Sequence, residues 1–449
     1  MARRSTHPKP TKSAPAKGRR STQRQRIVTG MITAANRDGY AGASVSAVIA
    51  EAGVSRPTFY EYFADRDACF LATIAEVHER LMIVLRDAVQ QEAPQLAVHA
   101  SVRALIEFAV AEPAPARFLM NESLAGGVAA LDARDGSLAA IEQAIEQRYA
   151  DLEPADEVPD FSTRMLIGGV YRLLAVRTRR GDPNVSSLLE DLLAWLSAYD
   201  RPLAGHRWRS LQPSAPLAPS PFLPDAPLRA PAPLPPGRPR ISPEEVADNH
   251  RRRVLFAAAL LAERNGYTAT TVAGICKLAG IDMRAFYAMF ADKQDAFMAV
   301  HELGFQDLMA VTAGAFFAGA SWPERIWEAA RALTQFLEGN PTIAHVGFVE
   351  AHAVGSGAVQ RVEDSHVAFT IFLQEGFQYA KPSAPPSRVA LEATVTTIFE
   401  IVYGETRSDD GDDLQLSGLV PHLSFLALAP FVGPARADAL IEEMLAAAA

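Results

Sequence analysis

The chain has 449 residues, 49% of them apolar and 21% charged, which suits two to four domains with ordinary buried cores. Its formal net charge of −9 speaks against a polyanionic partner only until the distribution is read. Residues 1–26 hold nine Lys or Arg and no acid, leaving 34 bases against 52 acids, or −18, over the remainder. Two cysteines with no second thiol nearby exclude a disulfide framework, and the apolar run near Met309–Trp322 is too short to span a bilayer, so the expected location is cytoplasmic.

In chain order, residues 1–22 mix Lys, Arg, Pro, Ser and Thr, cannot bury a core and are expected to form a disordered basic arm. From 23 to 66 the pattern predicts three short helices. Ile27 to Arg37 carries apolar residues at helical spacing and stops at Gly39, a residue suited to a left-handed helix end. Ser44 is an N-cap for a helix with Val45, Val48 and Ile49 as its buried stripe, and Ala52-Gly53-Val54 makes a tight turn. Ser55 caps a third helix that tolerates Pro57 in its first turn, buries Phe59 and Phe63, and turns Arg56, Thr58 and Tyr62 outward. Asp65 caps the helix after it.

Residues 67–200 read as a helical domain broken at Pro94, at 112–115 and at 152–159. Residues 201–240 are dense in Pro with Ala, Leu and Ser and form a linker; extended as polyproline it would reach on the order of 120 Å, too long to restrict how the flanking parts dock. Residues 241–293 make a second, divergent three-helix unit, and 294–449 a second helical body.

These two halves are copies. Gln25–Ala72 lies without gaps over Arg252–Ala299 at an offset of 227, with 15 of 48 positions identical, where chance gives only a few. The matches fall where a backbone needs them: Gly39-Tyr40 over Gly266-Tyr267, Ala52-Gly53 over Ala279-Gly280, and Phe59-Tyr60-x-x-Phe63-Ala64-Asp65 over Phe286-Tyr287-x-x-Phe290-Ala291-Asp292. Further on, Phe108–Gly127 lies over Phe336–Gly355 at an offset of 228, pairing Glu122 with Glu350. Arg164–Arg179 and Leu391–Arg407 both close on Thr-Arg.

Two helices joined by a glycine turn, the second with a polar and basic outer face, follow the helix-turn-helix plan. The string Ala52-Gly53-Val54-Ser55-Arg56-Pro57-Thr58-Phe59-Tyr60-Glu61-Tyr62-Phe63, with Asp65-Arg66 after it, resembles the TetR family of bacterial transcription regulators. The resemblance implies an all-α chain of two tandem TetR-like units, each an N-terminal three-helix helix-turn-helix domain followed by a helical ligand-binding and dimerisation domain. It implies a regulator of transcription, by family default a repressor, and not an enzyme. The partner would be a double-stranded DNA operator, with the arm following its backbone or minor groove.

On that reading the third helix of each unit enters the major groove. Contacts are expected from Ser44, Ser55, Arg56, Pro57, Thr58, Tyr60, Tyr62 and Arg66 in the first unit. In the second they are expected from Thr271, Arg284, Tyr287 and Lys293. Arg56 is the best base reader, because its fork matches a guanine edge; for Tyr60 a core role competes. The second unit departs from the first at Asp282, Met283, Ala285 and Met289, which stand for Ser55, Arg56, Thr58 and Tyr62, so weaker binding or a different half-site is expected. The last two helices of each unit, 164–179 with 185–199 and 391–407 with 414–429, are expected to meet in a four-helix interface. That gives an intrachain pseudo-dimer, with a homodimer paired through the first copies as the alternative assembly. A small, mostly apolar effector would bind near Phe118, Asn121 and Glu122 in one body, and near His345, Phe348, Glu350 and His352 in the other. No nucleophile–base string, phosphate-cradling glycine loop or metal spacing is present, so neither a cofactor nor a metal is expected. The competing function is a ligand-sensing or protein-docking module that has lost DNA binding in one or both heads.

Overall fold

A computed structural model of the chain describes residues 17–150, 162–199, 216–224, 229–234, 242–381, 385–407 and 414–448. Residues 1–16 of the expected arm, the expected break at 152–159 and linker residues 201–215, 225–228 and 235–240 lie outside the described residues. Every regular element among the described residues is helical.

The first head consists of α1 (Lys17–Gly42), α2 (Val45–Ala52) and α3 (Arg56–Tyr62). Helix α1 starts at Lys17, inside the segment expected as a disordered arm, and kinks at Gly39, where φ is +73°. The three caps are as expected: Ser44, Ser55 and Asp65 accept from the N–H groups of Ala47, Thr58 and Ala68. Gly53 takes the left-handed conformation at φ +58°, and its carbonyl accepts from Arg26 Nη2 at 2.8 Å. At Gly30 an added Cβ would sit 2.8 Å from the Val48 carbonyl oxygen, so a side chain there would push α1 off α2. Phe59 is fully buried and Phe63 nearly so; burying each ring stabilises by about 1.5–3 kcal/mol, a large share of what so small a head can gather.

The second head repeats this plan with α10 (Pro243–Asn265), α11 (Val272–Ala279) and α12 (Met283–Met289). Thr271, Asp282 and Asp292 cap α11, α12 and the following helix; Gly266 and Gly280 have φ +78° and +62°, and Phe286 and Phe290 fill the core. Helix α10 has its own start, a capping box of Ser242 and Glu245 with Pro243 in the first turn.

Each head runs into a helical body. The first contains α4 (Arg66–Gln91), α5 (Ala97–Ala111), α6 (Pro113–Arg117) continuing into a π turn at Phe118–Glu122, α7 (Val128–Tyr149), α8 (Thr163–Arg179) and α9 (Leu188–Leu196). The second contains α13 (Lys293–Ala318), α14 (Trp322–Gly339), α15 (Pro341–Phe348), α16 (Ser356–Phe369), α17 (Arg388–Arg407), α18 (Val420–Val432) and α19 (Pro434–Ala448). Helix α19 was not foreseen; Ala437 and Ile441 seat it on α18 and α14.

Helices α8 and α17 form the seam between the halves, with α9 and α18 packed beside α17. Aligned on their closing Thr-Arg pairs, Arg172 corresponds to Glu400 and Gly169 to Thr397. Each faces its own counterpart, as residues beside a twofold axis do. Arg172 Nε donates to Glu400 Oε2 at 3.0 Å, and Arg134 Nη2 donates to both Glu400 oxygens at 2.7 and 2.8 Å. At Gly169 an added Cβ would lie 1.8 Å from Thr397 Oγ1 and 2.7 Å from its Cα. Away from the axis the contacts are reciprocal: Arg179 pairs with Glu363, and its counterpart Arg407 pairs with Asp135 at 2.9 Å. Tyr199 donates to the Leu426 carbonyl at 2.8 Å and Trp195 Nε1 to Thr394 Oγ1 at 3.0 Å.

The linker is less free than its composition suggested. Ser220 N–H donates to Gln335 Oε1 at 2.8 Å, Arg331 Nη1 donates to the Ala218 carbonyl at 2.6 Å, and Leu217 is buried. A stretch of it is therefore fastened along α14, because a Pro-rich backbone has few N–H groups to satisfy and its free carbonyls invite side-chain donors.

Candidate nucleic-acid interface

Short helices present one face outward and bury the other, and α3 divides on that line. Arg56, Pro57, Glu61 and Tyr60 are exposed, the Tyr60 ring at 50% and edge-on to buried Phe59. Arg56 Nη2 donates to Ser46 Oγ at 3.1 Å, which steadies the guanidinium on the outer surface without enclosing it. Ser44 and Ser55 are exposed at the helix starts, where N–H groups and side-chain oxygens suit phosphate. Two residues differ from the outward placement expected of them. Tyr62 is half-buried, because its hydroxyl turns back to donate to Gln23 Oε1 at 3.3 Å. Thr58 is half-buried, with its hydroxyl 2.8 Å from that of Ser55.

Arg66 is committed to the fold. It lies over the Tyr40 ring at 4.3 Å, donates to the Tyr40 hydroxyl at 2.8 Å and reaches Asp67 Oδ1 at 2.8 Å. Lys293 repeats this arrangement 227 residues later, 4.3 Å from the Tyr267 ring centre and donating to the carbonyls of Tyr267 and Thr270 at 3.0 Å each. Both cations clamp the turn after the first helix of a head to the first residue of a body.

On α12 the exposed residues are Met283, Arg284 and Tyr287, the last at 54%. Thr271 is exposed at the start of α11. Leu278 and Met283 are both 43% exposed on this head, at the positions held by Glu51 and Arg56 in the first. The reading helix of the second head is thus more apolar, and the exposed cations of this head are Arg251, Arg252, Arg264, Lys277 and Arg284.

The residues expected to hold an effector separate into two groups. Glu122 and Glu350 serve as hinge acceptors: Glu122 Oε2 accepts the Tyr40 N–H at 2.8 Å and Glu350 Oε2 accepts the Tyr267 N–H at 2.7 Å. Each bond ties the residue after a positive-φ glycine to the body, so a carboxylate joins head to sensor in both copies. Burial raises the Glu122 carboxyl above its usual range, while the bond to Tyr40 and the nearby Arg117 and Arg179 lower it. His345 lies 3.5 Å from Glu350, and Asn121 Nδ2 donates to the Arg117 carbonyl and to Thr178. Phe118 is fully buried against Phe70, whereas Phe348 lines a pocket of about 30 Å³ with Phe305 and Phe399. A further apolar pocket of about 60 Å³ lies between α14 and α17, beneath Phe369, Phe372 and Leu423. Asn121, Glu122 and, from the other body, His352 also border a much larger cavity on the seam, about 600 Å³, one space shared by residues expected in two separate pockets. No group of three or more His, Cys, Asp or Glu among the described residues could hold a metal, and no described helix is long and apolar enough to cross a membrane.

The family model of bacterial regulatory proteins of the tetR family matches the chain at residues 33–73 and again at 254–300, which are the two heads. No curated protein matches the chain. Among solved structures, a fatty acid degradation regulator FadR from Bacillus halodurans is similar at 19% identity, covering 39% of this chain and 96% of its own with a TM-score of 0.35. A tetR-family regulatory protein from Rhodococcus RHA1 is similar at 19% identity, 40% and 96% coverage and a TM-score of 0.34. FadR from Bacillus subtilis, in complex with stearoyl-CoA, is similar at 17% identity, 40% and 97% coverage and a TM-score of 0.34. The tetR-family model thus matches the chain once over each head, consistent with a tandem of two TetR-like units.

Proposed function

We propose that the chain is a cytoplasmic transcriptional repressor that works as a single-chain pseudo-dimer, reading a double-stranded operator with both heads and releasing it when a small effector binds. The observation that carries this reading is the seam: Arg172 meets Glu400 where a homodimer would set Arg against Arg or Glu against Glu. Like charges so deeply buried repel without water to screen them, so the first half pairs with the second in preference to its own copy. Tethering adds an effective concentration in the millimolar range for the intrachain pairing. The heads then straddle one duplex and must lie about 34–36 Å apart to enter successive major grooves. A small rotation about the Glu122–Tyr40 and Glu350–Tyr267 bonds would spoil that spacing.

Because the two reading helices differ, the operator is an imperfect palindrome. Selection of bound DNA from a random pool, combined with mass measurement of the complex, tests both claims. One chain on two unlike half-sites is expected; two chains on two identical half-sites would overturn the reading. A second reading is favoured by exposed Leu278 and Met283 together with Asp282, whose charge repels phosphate. In it the second head docks a protein and only the first touches DNA, and the same selection would then return a single half-site.

A further inference from the structure

The 600 Å³ cavity lies where the heads, the bodies and the seam converge. The first half contributes Gly39 and Tyr40 from its hinge and Arg66 from the start of α4; the second contributes the matching Tyr267, Thr268 and Lys293. No other pocket described here reaches both hinges. Its volume lies within the range of sites that enclose a small molecule.

Two independent features indicate what it would take. The first is charge. Arg37, Arg66, Arg117, Arg172, Arg179 and Lys293 stand in the wall against only Asp38, Glu122 and Glu363, so the lining has a cationic excess. Most of these cations are already engaged, Arg37 with Asp38 and Glu51, Arg172 with Glu400, Arg179 with Glu363 and Lys293 with carbonyls. Arg117, half-buried at the end of α6, has none of these close carboxylate partners.

The second feature is a pair of histidines in the same wall. His352 and His366 are each only 7% exposed; neither ring nitrogen of His366 has a hydrogen-bond partner, nor does Nδ1 of His352. Buried polar atoms are rarely left in that state unless something else satisfies them. Burial, and after it the neighbouring Arg172 and Arg179, hold both imidazoles well below their usual range, so they are neutral and each keeps one N–H to donate. The fold does not require them. Counted from Gly127 and Gly355, the same positions in the first half are Leu124 and Leu138, both buried.

We propose that this cavity is the effector site, one per chain, and that it takes a small organic anion. A carboxylate or phosphate ester is received by Arg117 and the imidazoles of His352 and His366, while the apolar part lies against Ala175, Val176, Val359 and Val362. The proposal rests on the regulator reading for its consequence, since a guest here touches both hinges at once and sets the two heads together. It differs from the two separate body pockets expected from the sequence, because a single molecule would serve the pair.

Calorimetric titration of the full chain with phenyl phosphate, benzoate and benzyl alcohol tests it, alongside NMR of the histidine ring protons. The expected result is binding of one anion per chain, little or no binding of the alcohol, and shifted signals from His352 and His366. Arg117→Gln and His366→Phe should each weaken the anion at least tenfold without lowering the thermal midpoint by more than a few degrees, and Arg103→Gln, on the exposed side of α5, should not weaken it. Two equivalent sites, equal binding of benzyl alcohol, no binding of either anion, or unchanged affinity in both variants would overturn the proposal. Operator affinity is measured separately. Anion binding that leaves it unchanged refutes the effector role while the site stands, and loss of DNA binding in the ligand-free protein refutes the regulator reading instead.

Discussion

The two halves share a backbone and differ in almost everything they present. Both heads keep the glycines at positive φ, the paired phenylalanines, the capped helix starts and a carboxylate that accepts the tyrosine N–H after the hinge. What changed lies on the reading faces, Arg56 against Met283 and Ser55 against Asp282, and along the buried seam, Leu138 against His366 and Arg172 against Glu400. Positions that set dihedral angles or fill a core tolerate little, because a Cβ at a crowded or positive-φ glycine or a missing ring costs whole kilocalories. Reading faces carry no such constraint, and along the seam a change in one half can be met by a change in the other, so duplication left both free to specialise. The seam is where specialisation made the halves complementary.

The sharpest way to break that comparison is to make the halves alike at the axis. Glu400→Arg sets a guanidinium against Arg134 and Arg172 in a dry interface, and a loss of about 3–5 kcal/mol is expected in urea unfolding. Adding Arg172→Glu should recover part of it. Next comes acid. His352 and His366 titrate lower in the folded chain than their ordinary 6.5, so stability is full above that pH and falls as pH drops below it, by about 1.4 kcal/mol per histidine per pH unit. Because burial, and after it Arg172 and Arg179, opposes their protonation, replacing both histidines with Leu, as in the first half, should flatten the dependence of stability on pH between 6.5 and 5.5.

The heads can be compared by affinity. Arg56→Ala should weaken operator binding by about 1–3 kcal/mol, roughly 5- to 150-fold, whereas Arg284→Ala should cost less than about tenfold. The pair Asp282→Ser with Met283→Arg should raise the affinity of the second head and move its half-site toward that of the first, read by footprinting. The smallest effect is expected to be common to both copies: Gly53→Ala and Gly280→Ala should each cost about 1 kcal/mol or more, since both residues sit in the left-handed region and an added Cβ would also crowd Arg26 or Arg253.

The heads were legible because their signals are local. Ser44, Ser55 and Asp65 announce helix starts, Gly53 a turn, and Phe59 with Phe63 a buried face, all within a few residues of one another. Their shared Thr-Arg ending then marked α8 and α17 as copies, and the family resemblance implied that the two would meet. What escaped was assembled from afar. Arg134 and Glu400 are 266 residues apart, and an arginine near the start of a mixed helix looks solvated until the partner half is in place. Gly168-Gly169 in an apolar helix was the one available hint of a tight crossing. Arg66 and Lys293 were expected at the DNA because of the motif they follow; the aromatic ring that claims each lies in a preceding turn, a pairing that spacing alone does not reveal. The seam cavity escaped because a hollow belongs to no single stretch of chain.

The connector fastened along α14 alters where one module ends and the next begins. Since Leu217 and Ser220 belong to the packing of the second body, the portable second unit starts near Pro216 and not at the capping box of α10. A graft or truncation cut at Ser242 would strip the flank of α14 and uncover Gln335 and Arg331, so shuffling of such tandem genes is expected to respect a border upstream of the first recognisable helix.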